Sequence, residues 1–177
     1  MKHDERLQRQ QEVLRCLSGL PRMMLMLKER SNIPEFVLYD LCNPACFNLK
    51  KAAYFVDNPD FNCLQGVAGV SLDEVDIEKA EVWQNPDEFS NVMNLSPFNQ
   101  EVRNIERSSL KLANGSEQEI IDELAQLLNI THPTTARWDM KHDNFGILLF
   151  EKNPSVECDL NDHLIDGLSM LGFCPIV

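Results

Sequence analysis

The clearest structural signal in this chain lies in residues 116–151, SEQEIIDELAQLLNITHPTTARWDMKHDNFGILLFE. Ser116 and Glu119 have the spacing of a capping box, which satisfies free backbone N–H groups where a helix begins. The apolar residues that follow are spaced as on one buried face of a helix. They are Ile120, Ile121, Leu124, Leu127 and Leu128. The pattern predicts a helix over residues 117–128.

The hydrophobic period changes after this helix. Polar and apolar residues alternate from Thr135 to Met140, which is typical of a half-buried strand. Residues 141–144 have the composition of a turn, and residues 145–150 are almost continuously apolar. We therefore predict a β-hairpin over about 135–151.

The rest of the sequence is predicted to be mainly helical. Proline, glycine and Asn-Pro pairs separate the apolar segments. The predicted helices are Asp4–Ser18, Pro21–Arg30, Pro34–Leu41, Phe47–Val56, a stripe over Leu72–Trp83, Pro97–Leu112 and a last helix capped by Asp159. Within the stripe, a strand over Ala80–Trp83 is the alternative. Residues 60–71 are predicted as a loop or short strand, and residues 173–177 as an added edge strand. Together these elements predict a helix-rich α+β fold with a small antiparallel sheet packed by helices.

Length and composition fit an ordinary globular domain. The 177 residues are 44% hydrophobic and 25% charged, close to the average of folded domains. We predict a single domain over residues 1–177. The alternative is a subdivision into a helical part, 1–60, and an acidic α+β part, 61–177.

The acidic charge is unevenly distributed. Residues 1–60 hold nine basic and eight acidic side chains, whereas residues 61–177 hold seven basic and twenty acidic ones. Because nucleic acids and anionic membranes attract basic surfaces, we expect no direct binding to either. The densest acidic segment suggests a face for a basic partner, or a nucleic-acid mimic that inhibits one; the alternative is a solvated surface. Its residues include Asp73, Glu74, Asp76, Glu78 and Glu81.

Three cysteines are the candidate metal ligands. Cys42 and Cys46 are spaced C-x3-C, and Cys63 follows in the same part of the chain. Thiolates at such spacings can bind zinc or iron, which suggests a metal- or thiol-dependent protein. The alternative is that Cys42 and Cys46 are buried as small hydrophobic residues.

A basic stripe is predicted on the helix that follows Pro97. Arg103, Arg107 and Lys111 stand at intervals of four, so they would share one face of that helix. Such a stripe could bind an anion or an acidic partner surface. The alternative is internal pairing with the acidic segments.

Catalytic motifs are sparse. The sequence has no GxxxxGK[ST] loop and no G-x-S-x-G elbow. His132, His142 and His163 are the candidate acids or bases of an enzyme with a pocket beside the C-terminal hairpin. The absence of a converging motif favours a non-catalytic protein, without settling whether it is an enzyme.

The expected function is that of an acidic accessory, interaction or regulatory protein whose partner is another protein. No signal sequence or membrane-spanning run is present, so we expect a cytoplasmic location. The oligomeric state is left open. Residues Met23–Leu27 are apolar on every side, which predicts a buried core helix; the alternative is an adaptable contact surface.

Overall fold

The computed structural model describes residues 2–154 and 161–174. Its helices are α1 (Lys2–Met26), α2 (Ile33–Cys42), α3 (Lys79–Gln84), α4 (Pro86–Leu95), α5 (Pro97–Arg103), α6 (Glu117–Leu127) and α7 (Asn161–Ser169). Its strands are β1 (Leu49–Asn58), β2 (Cys63–Ser71), β3 (Glu106–Arg107), β4 (Pro133–Asp139) and β5 (Phe145–Lys152). Short 3-10 turns cover Leu72–Glu74, Lys141–Asp143 and Met170–Phe173. The predicted α+β class is confirmed.

The five strands form one antiparallel sheet in the order β3-β2-β1-β5-β4. Strand β1 lies at the centre, where Ala53 pairs with Gly69 on one side and Leu149 on the other. The predicted C-terminal hairpin is confirmed, because β4 pairs with β5 from Pro133 to Asp139. Strands β1 and β2 enlarge the sheet beyond that hairpin.

The predicted helix over Phe47–Val56 is wrong, because these residues form most of β1. Side chains on β1 alternate between two cores. Tyr54 and Val56 pack with α1, α2 and α7, whereas Ala53 and Phe55 pack with α5 and α6. A strand that is buried on both faces has no polar alternation to reveal it.

Residues 60–71 supply β2, so the short-strand alternative is the correct one. Strand β2 pairs with β1 from Lys51 opposite Ser71 to Asn58 opposite Cys63. A division of the chain near residue 60 would therefore separate two directly paired strands.

The two helices predicted before residue 30 are one continuous helix, α1, with Pro21 inside it. Val13, Leu17 and Leu20 follow one another on the same buried face up to the proline. Pro21 itself is exposed. Packing of this face against the core outweighs the helix-breaking tendency of Gly19 and Pro21.

The remaining helix predictions are partly correct. Helix α6 and its capping box are confirmed. Ser96 caps α5 through a 3.1 Å hydrogen bond from the Asn99 backbone, but α5 ends at Arg103 rather than near Leu112 because the chain joins the sheet as β3. Residues 72–83 form a 3-10 turn and then α3.

Two C-terminal predictions extend beyond the described residues. The cap at Asp159 lies outside them, although α7 follows from Asn161. Of the predicted edge strand at 173–177, Phe173 belongs to a 3-10 turn and residues 175–177 are not described. No helix in the described ranges is both long enough and apolar enough to cross a membrane.

Candidate protein-binding site

An apolar groove lies beside the C-terminal end of α1. It has a volume of about 400 Å³ and is bounded by α1, the start of α2 and the 3-10 turn that follows α7. We call it the α1 groove; it is lined by Pro21, Met24, Leu25, Lys28, Ile33, Met170 and Phe173. Lys28 is the only charged residue among them. A concave and almost wholly apolar surface of this kind is typical of a binding site for a small molecule or a protein segment.

Large apolar side chains are exposed at this groove. Leu25 is 71% exposed and Phe173 is 78% exposed, and both line it. Met26, the last residue of α1, is 75% exposed. Single exposed apolar residues are ordinary, but a cluster around a groove marks an interaction surface.

The expectation that Met23–Leu27 forms a buried core helix is correct only in part. Leu27 is buried, Met23 and Met24 are half-buried, and Leu25 and Met26 are exposed. This apolar segment is too wide for the core to cover, so part of it remains at the surface. The alternative reading, an adaptable contact surface, describes Leu25 and Met26 better.

One cation, Lys28, lines the α1 groove. Its side chain is exposed and forms no ion pair within residues 2–154 and 161–174. Arg22, on the preceding turn of α1, lines a separate pocket together with Glu12 and Asp40. Glu29 is exposed next to Lys28 but does not line the groove.

The three candidate metal ligands do not converge. Cys42 ends α2 and Cys46 follows in the next turn, and both are buried. Cys63 begins β2 opposite Asn58, at the far end of the ten-residue strand β1, roughly 30 Å along the strand direction. Among the described residues, no group of three His, Cys, Asp or Glu side chains could hold a metal ion. The structure therefore does not bring Cys42, Cys46 and Cys63 together as one ligand set.

Burial also changes the chemistry of the first of these thiols. It raises the pKa of the Cys42 thiol well above its ordinary value, which keeps the thiol neutral and unreactive at physiological pH. Cys42 and Cys46 both belong to the core that α1 and α2 share with the sheet. In the structure Cys42 and Cys46 therefore pack as small hydrophobic residues, which is the alternative given above.

The three candidate histidines are separated in space. His132 is exposed just before β4, and His142 is exposed beyond its other end. His142 adopts a left-handed backbone conformation in the hairpin turn, with φ of 60°. His163 lies on α7, where its Nε2 atom is 3.0 Å from Nε2 of Gln10. These histidines do not form a common site.

The predicted basic stripe is not assembled, because the helix that was to carry it ends at Arg103. The three cations have different partners. Arg103 pairs with Glu35 at 3.4 Å, and Arg107 pairs with Glu123 of α6 at 3.0 Å. The Lys111 ammonium lies 3.8 Å from the centre of the Phe145 ring. Both arginines thus pair internally with acidic side chains, but their partners are Glu35 and Glu123 rather than the acidic segment Asp73–Glu88.

The acidic segment is largely at the surface. Asp73, Asp76, Glu78 and Glu81 are exposed. Glu74 is exposed as a residue, but its carboxylate accepts hydrogen bonds from Ser96 Oγ at 2.5 Å and from the backbone of Phe98 at 3.2 Å. Four of the five predicted residues are thus available to a partner, and Glu74 stabilises the start of α5.

A buried carboxyl group that the sequence did not reveal lies between α2 and α5. Glu35 is 2% exposed, and its Oε1 atom is 3.5 Å from Asn99 Nδ2 and 3.4 Å from Arg103 Nη1. Burial raises the pKa of Glu35 from 4.5 to about 7, against the opposing effects of its own backbone hydrogen bond, Arg103 and Asn99. This group is enclosed by protein and does not line the α1 groove, so it bears on stability rather than on binding.

Comparisons with family models, with curated proteins and with solved structures give no match. The function is therefore inferred from the geometry of this chain. Within residues 2–154 and 161–174, the α1 groove is a concave apolar site suited to binding. The sequence signal that could have located it is the excess of apolar residues at Met23–Leu27, read together with Phe173 near the C-terminus.

Proposed function

We propose that this protein is a non-catalytic accessory protein that binds another protein through the α1 groove. The observation that carries the proposal is the groove itself, with Leu25 and Phe173 exposed on its lining. Exposed apolar area is costly in water, and covering it contributes about 25 cal/mol for each Å² removed from solvent. The occupant is an apolar segment of the partner.

The positions of the candidate acids and bases support a binding role. The three histidines lie on different parts of the fold, and Cys42 is buried with a raised pKa. The strongly perturbed carboxyl, Glu35, is enclosed between α2 and α5. An enzyme needs such groups to meet at one accessible point.

The test combines affinity capture with direct binding. The wild-type chain and the Leu25→Asp/Phe173→Asp variant would be used as bait in cells that express the protein. Captured proteins would be identified by mass spectrometry, and each candidate would then be purified and titrated by calorimetry. We expect one partner whose direct binding is weakened at least tenfold by the groove variant.

The control is Leu95→Asp, because Leu95 is 77% exposed on α4 and does not line the groove. It adds the same charge at an equally exposed leucine and should leave partner binding unchanged. Equal losses in both variants, or no loss in either, would contradict the proposal.

The acidic segment supports a second candidate function, the binding of a basic partner. Asp73, Asp76, Glu78 and Glu81 are exposed, and this is the observation that favours it. A nucleic-acid mimic would retain basic nucleic-acid-binding proteins at low salt. Replacing the four side chains with Asn or Gln should abolish that retention. If the wild-type chain retains no basic nucleic-acid-binding protein, the mimic hypothesis is refuted.

A further inference from the structure

The loop before α6 contains the one asparagine of this chain that is followed by glycine, Asn114-Gly115. An asparagine side chain can be attacked by the backbone nitrogen of the next residue, and the side chain of that residue hinders the attack. Glycine has no Cβ, so it leaves the approach open and gives the backbone the freedom that ring closure requires. By contrast, four asparagines of the chain precede proline, which has no backbone N–H to supply the nucleophile.

The structure leaves this dipeptide accessible and unrestrained. Asn114 and Gly115 are both exposed in a bend that precedes the first residue of α6, Glu117. Within residues 2–154 and 161–174, no hydrogen bond engages the side-chain amide of Asn114 or the backbone N–H of Gly115. The attacking nitrogen and the side chain it attacks are therefore free to meet.

A second dipeptide of the same chemistry provides the structural contrast. Asp166-Gly167 can close the same five-membered ring, with loss of water instead of ammonia. Gly167, however, is buried inside α7, and a methyl group there would come within 2.9 Å of Leu17 and Leu41. Because the helix uses the nitrogen of Gly167 and packing fixes its backbone, this dipeptide is held in a conformation that does not close the ring.

We infer that Asn114 is a site of spontaneous deamidation in the folded protein. The backbone nitrogen of Gly115 gives up its proton and bonds to Cγ of Asn114, and the side-chain nitrogen takes up a proton and leaves as ammonia. Water then opens the resulting succinimide at either carbonyl carbon, which leaves aspartate or isoaspartate at position 114. Each product carries one more negative charge than the encoded chain, whose formal net charge is −12. No reagent other than water is consumed.

The modification is compatible with the fold. Position 114 is two residues before Ser116, which forms the capping box of α6 with Glu119. The two hydrogen bonds of that box, both 3.2 Å long, do not involve Asn114. At the start of α6 the helix dipole favours a new carboxylate and opposes its repulsion by Glu117 and Glu119. The product is thus a folded and more acidic form of the chain.

Mass spectrometry of the incubated protein tests the inference. The purified chain would be kept at pH 5 and at pH 8, with and without urea, and sampled over time. Trypsin releases residues 112–137 as one peptide, which contains both Asn114 and Asn129. Asn114 should convert faster at pH 8, because the nucleophile is the deprotonated nitrogen. Its rate in the native protein should be within about threefold of its rate in urea, since a loop that is not held opens at almost no cost.

Two sites serve as internal controls in the same samples. Asn129 is exposed, but the β-branched Ile130 follows it and hinders the attack, so Asn129 should remain unmodified. Asp166 should form isoaspartate in urea and not in the native protein, because α7 then no longer holds Gly167.

Two variants isolate the nucleophile and the product. Gly115→Ala should slow the reaction about tenfold or more, because it restores a Cβ beside the attacking nitrogen. The added methyl group would lie 3.3 Å from Oε2 of Glu119, the end of a flexible side chain, and Gly115 does not have a positive φ, so the variant should fold. Asn114→Asp carries the charge of the product and should keep Tm within about 2 °C of the wild type.

Each result supports or overturns a defined part of the inference. An Asn114 that stays intact in the native protein at pH 8 but converts in urea would overturn it, since the loop would then be held as firmly as α7. Equal rates in the wild type and in Gly115→Ala would overturn the assigned nucleophile. A large loss of Tm in Asn114→Asp would overturn the conclusion that the product stays folded. None of these results depends on the α1 groove.

Discussion

The carboxylate of Glu35 lies 3.4 Å from the guanidinium of Arg103, and the two partners differ greatly in exposure. The Glu35 side chain is 2% exposed, whereas that of Arg103 is 47% exposed. The ion pair therefore joins a desolvated anion on α2 to a solvated cation at the end of α5. Because the carboxylate loses more by desolvation than this contact returns, burial raises the pKa of Glu35 to about 7.

This pKa predicts that Glu35 makes the fold less stable as pH rises. In the native state Glu35 titrates near 7, and in the unfolded chain near 4.5, so the native state binds more protons between these values. The contribution of Glu35 to the free energy of unfolding is therefore complete at pH below 4.5 and is lost as pH rises to 7. The loss is at most about 3 kcal/mol.

Glu35→Gln should remove this pH dependence. At pH 8 we expect the variant to be more stable than the wild type by about 1–3 kcal/mol, and at pH 4 the two should agree more closely. Urea unfolding at pH 4, 6 and 8 measures the difference. Glu12→Gln is the control, because Glu12 is 42% exposed and pairs with Arg9 at the surface. The prediction would be refuted if the free energies of unfolding of the wild type and of Glu35→Gln differed by the same amount at every pH.

Asn99 connects α5 to the sheet and to the preceding helix, and Asn99→Ala should be strongly destabilising. Its Oδ1 atom accepts a 2.8 Å hydrogen bond from the Gly69 backbone, and its Nδ2 atom donates to the Met93 carbonyl at 3.0 Å. Alanine would leave both buried backbone groups unpaired, at a cost of about 2–4 kcal/mol. Chemical denaturation measures this loss in the free energy of unfolding. Asn94→Ala is the control, because Asn94 is exposed, and it should change the free energy of unfolding by less than about 0.5 kcal/mol.

How far the sequence could predict this fold depended on whether each element was amphipathic. Helix α6 has a capping box and one buried face, so its bounds were predicted almost to the residue. The strand β1 has Ala52, Tyr54 and Val56 in one core and Ala53 and Phe55 in the other, so its polarity does not alternate. With both faces buried, the length of the apolar run was the remaining signal, and it suited a helix as well as a strand.

The candidate site was less predictable than the fold. The α1 groove joins Leu25, near the start of the chain, to Phe173, near its end, and sequence patterns do not record such distant proximity. The predicted sites used local spacing instead. Spacing placed Arg103 and Lys111 on one helix, and this failed when α5 ended early and the chain turned into β3.

Close packing of β2 against α5 predicts that Gly66→Ala is destabilising. A methyl group at Gly66 would overlap with the backbone carbonyl of Val102, which cannot move aside as a flexible side chain could. We expect a loss of about 1–3 kcal/mol or more, measured as a lower urea midpoint. Gly172→Ala is the control, since nothing lies within 4 Å of a methyl group there. Equal stability of the two variants would show that α5 is not held against β2 as described.

The exposure of thiols predicts the order in which they react. Cys63 is half-buried at the start of β2, whereas Cys42 is fully buried and its pKa is raised by that burial. Under native conditions iodoacetamide should modify Cys63 well before Cys42, as followed by peptide mass spectrometry. In denaturant the two should react at similar rates. Early modification of Cys42 in the native protein would contradict its place in the core.

The contrast between two leucines on α1 tests whether the groove is exposed in the free protein. Leu20 is fully buried, and Leu25, five positions later, is 71% exposed. Leu20→Ala should lower the free energy of unfolding by about 2–5 kcal/mol, whereas Leu25→Ala should change it by less than about 0.5 kcal/mol.

Urea titrations would be run at two protein concentrations tenfold apart. If Leu25→Ala cost as much as Leu20→Ala only at the higher concentration, a second copy of the chain would be covering the groove, because self-association makes apparent stability concentration-dependent. Concentration-independent values with a small effect at Leu25 are the expected result, since an open groove leaves this side chain in water.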